Sequence, residues 1–121
     1  MNIEEFFKEA ADFPDLILIT KTEGIVSEVR GKFAVQGGEE WLTLKNEACR
    51  CHIHLKTDGL SNPNFIRSKN KEGRDMFSVE ISGKDGELVL KASYPTKSDL
   101  EGSRAAFEKL EAKYGAATAK V

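Results

Sequence analysis

With 121 residues, 40% of them hydrophobic, the chain is long enough to bury one sizeable core and short enough to be a single domain. Its 18 basic and 20 acidic side chains leave a formal net charge of -2, which argues against the broad phosphate-binding surface of a nucleic-acid protein. No run of about 18 apolar residues is present to cross a membrane, and the opening Met1-Asn2-Ile3-Glu4-Glu5 lacks the basic-then-apolar order of a secretory leader, so a soluble, cytoplasmic protein is expected.

From Ile3 to Asp12, residues Ile3, Phe6, Phe7, Ala10 and Ala11 fall on one stripe, predicting a short amphipathic helix that ends near Pro14 and covers a sheet. Leu16 to Thr20 is a short continuous apolar run and reads as a buried strand. Gly24 and Gly31 punctuate two further β-rich pieces, Ile25 to Arg30 and Lys32 to Gln36. A turn at Gly37-Gly38 then leads into Trp41-Leu42-Thr43-Leu44 and on to a strand carrying cysteine and histidine. Asn64 to Ser68 is a strand whose start Pro63 confines to an end or an edge. Met76 to Ser82 alternates with Phe77, Val79 and Ile81 inward, and Lys84-Asp85-Gly86 turns it back into Glu87 to Ala92 as a hairpin. A closing helix of about four turns is predicted from a capping box at Ser98 and Glu101, with Leu100, Phe107, Leu110 and Tyr114 at helical spacing and a left-handed stop at Gly115. Residues 116–121 carry no packing signal and are expected to fray. Helix, many antiparallel strands, helix, with no βαβ alternation, is an α+β class: a large antiparallel β-sheet of about seven or eight strands between an N-terminal and a C-terminal helix.

Both cysteines and both histidines lie in one hexapeptide, Cys49-Arg50-Cys51-His52-Ile53-His54. Read as a strand, it puts Cys49, Cys51, Ile53 and Leu55 on one face and Arg50, His52, His54 and Lys56 on the other, with the imidazoles rooted about 6.6 to 7 Å apart. A tetrahedral zinc site cannot be closed from both sides of one strand. The same divergence separates Cys51 from His52 and argues against a cysteine nucleophile with an adjacent base. The thiols read more simply as core, because free cysteine packs as a small hydrophobe. Two cysteines two residues apart on a strand are poorly placed to bridge each other, which fits a reducing compartment. No glycine pattern cradles phosphate and no carboxylate spacing compels a shared cleft, so catalysis is not expected. A metal at His54 and His52 needs at least one further ligand, for which Glu80 on another strand is a conceivable but arbitrary choice. What remains is a polar row able to meet an acidic ligand or to face water.

Several segments in order resemble one family. Trp41-Leu42, then His54-Leu55 at a strand end, Phe65-Ile66, Ser78-Val79 with Ile81, the Lys84-Asp85-Gly86-Glu87-Leu88 hairpin and a terminal helix after Pro95 together resemble the haem-utilisation proteins of the HutX/ChuX and HemS type. The N-terminal Glu5-Phe6-Phe7 helix before the LILIT strand is similar to short single-repeat members. The resemblance implies haem or another tetrapyrrole as cofactor. Because longer relatives carry two repeats in one chain, it also implies a homodimer, and physically a sheet with few helices to cover it leaves a face or an edge for a second copy. In those longer relatives the axial histidine lies in the strand before the Trp-Leu motif, which corresponds here to Glu28, Val29 and Arg30. No histidine stands there, which leaves His54, as the metal ligand, and His52. Arg30, Arg50, Arg67 and Arg74 are the propionate partners that chemistry allows. Two readings follow: a tetrapyrrole-binding or carrier protein with His54, His52, Arg50 and Arg30 at its site, or a cofactor-free dimeric interaction or chaperone-like module on the same fold.

Overall fold

A computed structural model describes residues 2–115 of the chain. Helix α1 (Ile3–Ala10) is followed by strands β1 (Leu16–Thr22), β2 (Ile25–Gly31), β3 (Phe33–Gln36), β4 (Trp41–Asn46), β5 (Cys51–Lys56), β6 (Asn64–Lys69), β7 (Asp75–Ser82) and β8 (Leu88–Tyr94), then helix α2 (Leu100–Tyr114). The expected order of helix, about seven or eight antiparallel strands and helix is therefore present, with eight strands. Hydrogen bonding divides the strands into a five-stranded sheet, β2-β1-β8-β7-β6, and a three-stranded sheet, β3-β4-β5. The expected fraying of 116–121 lies outside the described residues.

The division falls at Gly31. This residue ends β2 with φ 138°, a conformation open to glycine and strained for other residues, and a Cβ there would stand 2.9 Å from Asn46 Nδ2. The chain leaves the first sheet there and, after Lys32, enters the second as β3. Asn46 Nδ2 donates to the Arg30 carbonyl at 2.9 Å, so one buried amide ties the end of β4 to the end of β2.

Register explains which residues became core. Leu16 and Leu18 of β1, Leu90, Ala92 and Tyr94 of β8, and Phe77, Val79 and Ile81 of β7 share one face of the five-stranded sheet, and all are buried. Helix α2 lies over β7 and β8. Its Phe107 meets Phe65, Phe77 and Tyr94 at ring-centroid distances of 5.5, 5.1 and 6.1 Å. In the three-stranded sheet the inward positions are Phe33, Leu42, Leu44, Asn46 and Leu55, joined to the same core by α1 through Phe6 and Phe7. Full burial of side chains of this size contributes about 1.5–3 kcal/mol each.

Helix ends differ in detail from the expected ones. Asn2 caps α1, accepting from Glu5 N at 3.1 Å. Asp99, not Ser98, caps α2 by accepting from Gly102 N at 2.9 Å; the Ser98 hydroxyl instead accepts from Arg30. Gly115 stays right-handed at φ -69°, its N–H continuing the helix to the Glu111 carbonyl, so the left-handed stop is corrected.

The two helices are clasped by Glu9, which accepts from Lys113 Nζ at 2.7 Å and from the Tyr114 hydroxyl. Those hydrogen bonds, Lys113 first, hold the Glu9 carboxyl below its ordinary value. Burial pushes Tyr94 up to about 12. Tyr114 is likewise pushed up to about 12, first by burial and then by Glu9. A depressed carboxyl stabilises the fold above its unfolded pKa and loses that contribution as pH falls through the folded one. A raised phenol stabilises below its unfolded pKa and loses that contribution as pH rises through the folded one. Denaturant midpoints should therefore fall in acid below the carboxylate range and again in alkali, between roughly 10 and 12. These are the chain's only two tyrosines, so phenolate absorbance should lag a free-tyrosine titration until the alkaline transition; ordinary titration near 10 in the folded protein would contradict this account.

Candidate functional site

The sequence of β4, WLTLKN, alternates on the pleat and buries Leu42, Leu44 and Asn46, so Trp41, Thr43 and Lys45 must point outward. Strand β5 does the same with CHIHLK: Ile53 and Leu55 turn in, while His52, His54 and Lys56 turn out and are exposed. Antiparallel pairing sets Trp41 opposite Lys56, Thr43 opposite His54 and Lys45 opposite His52. The outer face of the small sheet is thus a compact array of two imidazoles, two ammonium groups, one hydroxyl and one indole.

Its geometry is defined. The imidazole rings lie 6.0 Å apart, centroid to centroid, at 84° to each other. Nδ1 of His54 is 3.1 Å from Thr43 Oγ1, a hydrogen bond whose direction follows the tautomer. With Nδ1–H donating to the hydroxyl, the ring is held in one orientation and the Nε2 lone pair faces outward, which is the arrangement second-shell partners impose on ligating histidines. Trp41 is 47% exposed, a large aromatic plate left uncovered beside these groups. Neither Lys45 nor Lys56 has an ion-pair partner among the described residues, so both charges remain available to an anion.

The sequence-based site divides on this structure. His52 and His54 are brought together as expected. Arg50 is not part of the strand: β5 begins at Cys51, and Arg50 sits in the preceding turn at φ 56°, exposed. That left-handed residue, uncommon outside glycine and asparagine, breaks the alternation at the point where it was extrapolated backward. Cys49 therefore belongs to the turn and not to a core-facing row. It is exposed, and it is joined to Cys51 by a disulfide with Cα atoms 5.2 Å apart, which corrects the expectation that the two are poorly placed to bridge. Arg30 lies in the five-stranded sheet, its guanidinium held by the Asp15 carboxylate at 2.8 and 2.7 Å and by Ser98 at 2.8 Å. That pairing raises the guanidinium and lowers Asp15, so the charge of Arg30 is already matched. Arg67 is matched likewise by Glu111, at 2.6 Å through each of two nitrogens. Glu80 sits on β7, in the other sheet, and no group of three metal-ligating side chains occurs among the described residues.

Trp41, Thr43 and Lys45 were not singled out as site residues from the sequence. The signal was there in the alternation of β4, but it becomes a site only once the register of β4 against β5 is known. A concavity of about 240 Å³ lies elsewhere, between α1 and α2, and is lined by Ala10, Phe13, Tyr94 and Leu110 among others. It holds no histidine and is below the roughly 300–1,000 Å³ typical of small-molecule sites.

Comparison with known proteins gives this arrangement its context. Residues 1–110 match the family model described as haem utilisation ChuX/HutX. No curated protein sequence matches. Among solved structures, the chain is similar to ChuX, with a TM-score of 0.80 and 17% identity over 93% of this chain and 72% of that one. It is also similar to ChuS, described as an E. coli heme oxygenase, at TM-score 0.71 and 18% identity over 93% of this chain and 33% of that one. A third likeness is to holo-PhuS, described as a heme-binding protein from Pseudomonas aeruginosa, at TM-score 0.64 and 19% identity over 75% of this chain and 26% of that one. At such identities the likeness establishes a shared fold, and the chain spans about a third or less of the two longer proteins. The match over 110 of the 121 residues, with this fold, makes the chain a member of the ChuX/HutX haem-utilisation family.

Proposed function

We propose that this protein binds haem or a closely related tetrapyrrole on the outer face of the β3-β4-β5 sheet and carries it, with His54 as the axial imidazole. The observation that carries the reading is the His54–Thr43 pair: an exposed imidazole whose Nδ1 is engaged by a hydroxyl, leaving Nε2 as the nitrogen for a ligand, in a family of haem utilisation. Haem carriage asks for three things of a protein: an imidazole, cations for two propionates, and apolar cover for the macrocycle. His54 fits the first. Lys45 and Lys56, with Arg50 in the adjoining turn, fit the second, Lys acting as a point charge and Arg through its planar fork. Trp41 supplies part of the third, and a flat open sheet supplies no more. His52 projects from the same side as His54, so the two cannot serve as opposite axial ligands; His52 is assigned a supporting or substitute role.

A second copy of the chain is favoured by an uncovered edge in the other sheet. Strand β2 is a sheet edge with Ile25 63% and Val26 58% exposed, which is the kind of edge that a copy of the same chain can pair with and bury. We infer a homodimer on this basis. Its mass in solution tests it, and a monomer throughout the micromolar range would contradict it. No observation speaks specifically for the cofactor-free alternative.

Titration with hemin tests the site. A saturable Soret shift is expected for the unaltered protein, and His54→Ala should weaken binding at least tenfold, about 1.4 kcal/mol or more, with a changed Soret position because the ligand to iron has changed. His52→Ala should have the smaller effect. A shift that persists unchanged when both histidines are replaced would discard histidine ligation, and no saturable shift at all would discard tetrapyrrole binding.

A further inference from the structure

The chain's only two cysteines are bonded to each other across a single residue, where the exposed turn after β4 enters β5, so the bridge closes a very short loop. A disulfide stabilises a fold mainly by restricting its unfolded chain, and the restriction grows with the length of the loop closed. A loop closed around Arg50 alone restricts less than any longer loop would. The turn is also framed without the bridge. Asn46 is 1% exposed, and its Oδ1 accepts from Ala48 N at 3.0 Å and Cys49 N at 3.3 Å, while Arg50 reverses the chain at φ 56°. The Cys51 sulfur lies 3.5 Å from the Cys49 carbonyl oxygen, so in the reduced form the thiol can donate there and stay in place. Because Asn46 frames the turn independently of the bridge, reduction leaves the two cysteines one residue apart in the same turn, which favours reversible closure.

We propose that Cys49-Arg50-Cys51 is a thiol–disulfide exchange site that reacts with a low-molecular-weight thiol of the glutathione class or with a dithiol. Access decides which sulfur is attacked. Cys49 is exposed, whereas Cys51 is half-buried at the first position of β5. The incoming thiolate forms a bond to the Cys49 sulfur, the Cys49–Cys51 bond breaks, and Cys51 leaves with the electron pair as a thiolate that then takes a proton. A second thiol from the reductant attacks its own sulfur in the mixed disulfide and releases Cys49. The reductant is oxidised to its disulfide, and the protein gains two electrons and two protons. Arg50, an exposed guanidinium with no ion pair among the described residues, supplies positive charge in the same turn, the environment that favours thiolate as leaving group and nucleophile. This site does not depend on tetrapyrrole binding.

Equilibration of the full chain in glutathione buffers of stepped reduced-to-oxidised ratio, acid quenching, alkylation and intact mass measurement tests the proposal. A single reversible transition between a doubly alkylated and an unalkylated monomer is expected, with the same curve approached from either side. In oxidised glutathione, Cys51→Ser should form the mixed disulfide at Cys49 at least tenfold faster than Cys49→Ser forms it at Cys51, with unchanged circular dichroism in both variants. Two free thiols at every ratio, a bridge that resists excess dithiothreitol, or oxidation only to a covalent dimer would each overturn the proposal. Equal rates in the two single variants would overturn the assignment of Cys49 as the attacked sulfur.

Discussion

Replacing Phe107 with alanine is expected to lower the stability of the fold by about 3–5 kcal/mol, the largest effect of any single truncation considered. Phe107 is fully buried and is the only α2 ring that touches β6, β7 and β8 at once, through Phe65, Phe77 and Tyr94. The Arg67 guanidinium also lies over its face at 4.9 Å, fixed there by Glu111. Truncation removes transfer free energy and leaves a cavity between a helix and a sheet that are each too well packed to collapse into it. Since small domains hold only about 5–15 kcal/mol in all, this loss removes a large share of the total. Urea denaturation followed by circular dichroism measures this, and a loss under about 1 kcal/mol would mean that α2 does not carry the core as described.

Asn46→Ala should cost about 2–3 kcal/mol, the second-largest effect, and should act on the candidate site as well as on stability. This side chain makes three hydrogen bonds, to the Arg30 carbonyl and to the N–H groups of Ala48 and Cys49, from an almost fully buried position opposite Cys51. Its loss leaves a part-buried carbonyl without its donor and frees the turn that starts β5. Two readouts are expected together: a lower denaturation midpoint, and faster amide exchange from Ala48 through His52. Exchange that quickens everywhere equally would indicate global destabilisation alone and count against a positioning role for Asn46.

Alternation and turn chemistry made most of the fold legible in advance. MFSVEIS and its Gly86 turn gave β7 and β8, LILIT gave β1, and the Phe6-Phe7 stripe gave α1, because in each the period of burial matches the local geometry. Three particulars were out of reach for physical reasons. The separation into two sheets depends on the backbone of Gly31 and its close approach to Asn46, a long-range contact with no local signature. The cap of α2 moved from Ser98 to Asp99 because Ser98 is engaged by Arg30, a residue 68 positions away. Arg50 is left-handed, so a row of four polar residues became a row of three. At the candidate site the histidines could be read from the sequence, but Trp41, Thr43 and Lys45 could not be joined to them without the cross-strand register, and the commitment of Arg30 and Arg67 to carboxylates is visible only in the folded molecule.

The most direct test of where the tetrapyrrole sits is the nuclear magnetic resonance spectrum of the protein with substoichiometric ferric haem, whose unpaired electrons broaden nearby resonances. Trp41, Thr43, His52, His54 and Lys56 should broaden first, with Ala10, Phe13 and Leu110 between the helices unaffected. Broadening centred on those helical residues, or on Ile17 and Ile19 across the open face of the five-stranded sheet, would contradict the assignment of the β3-β4-β5 face as the site.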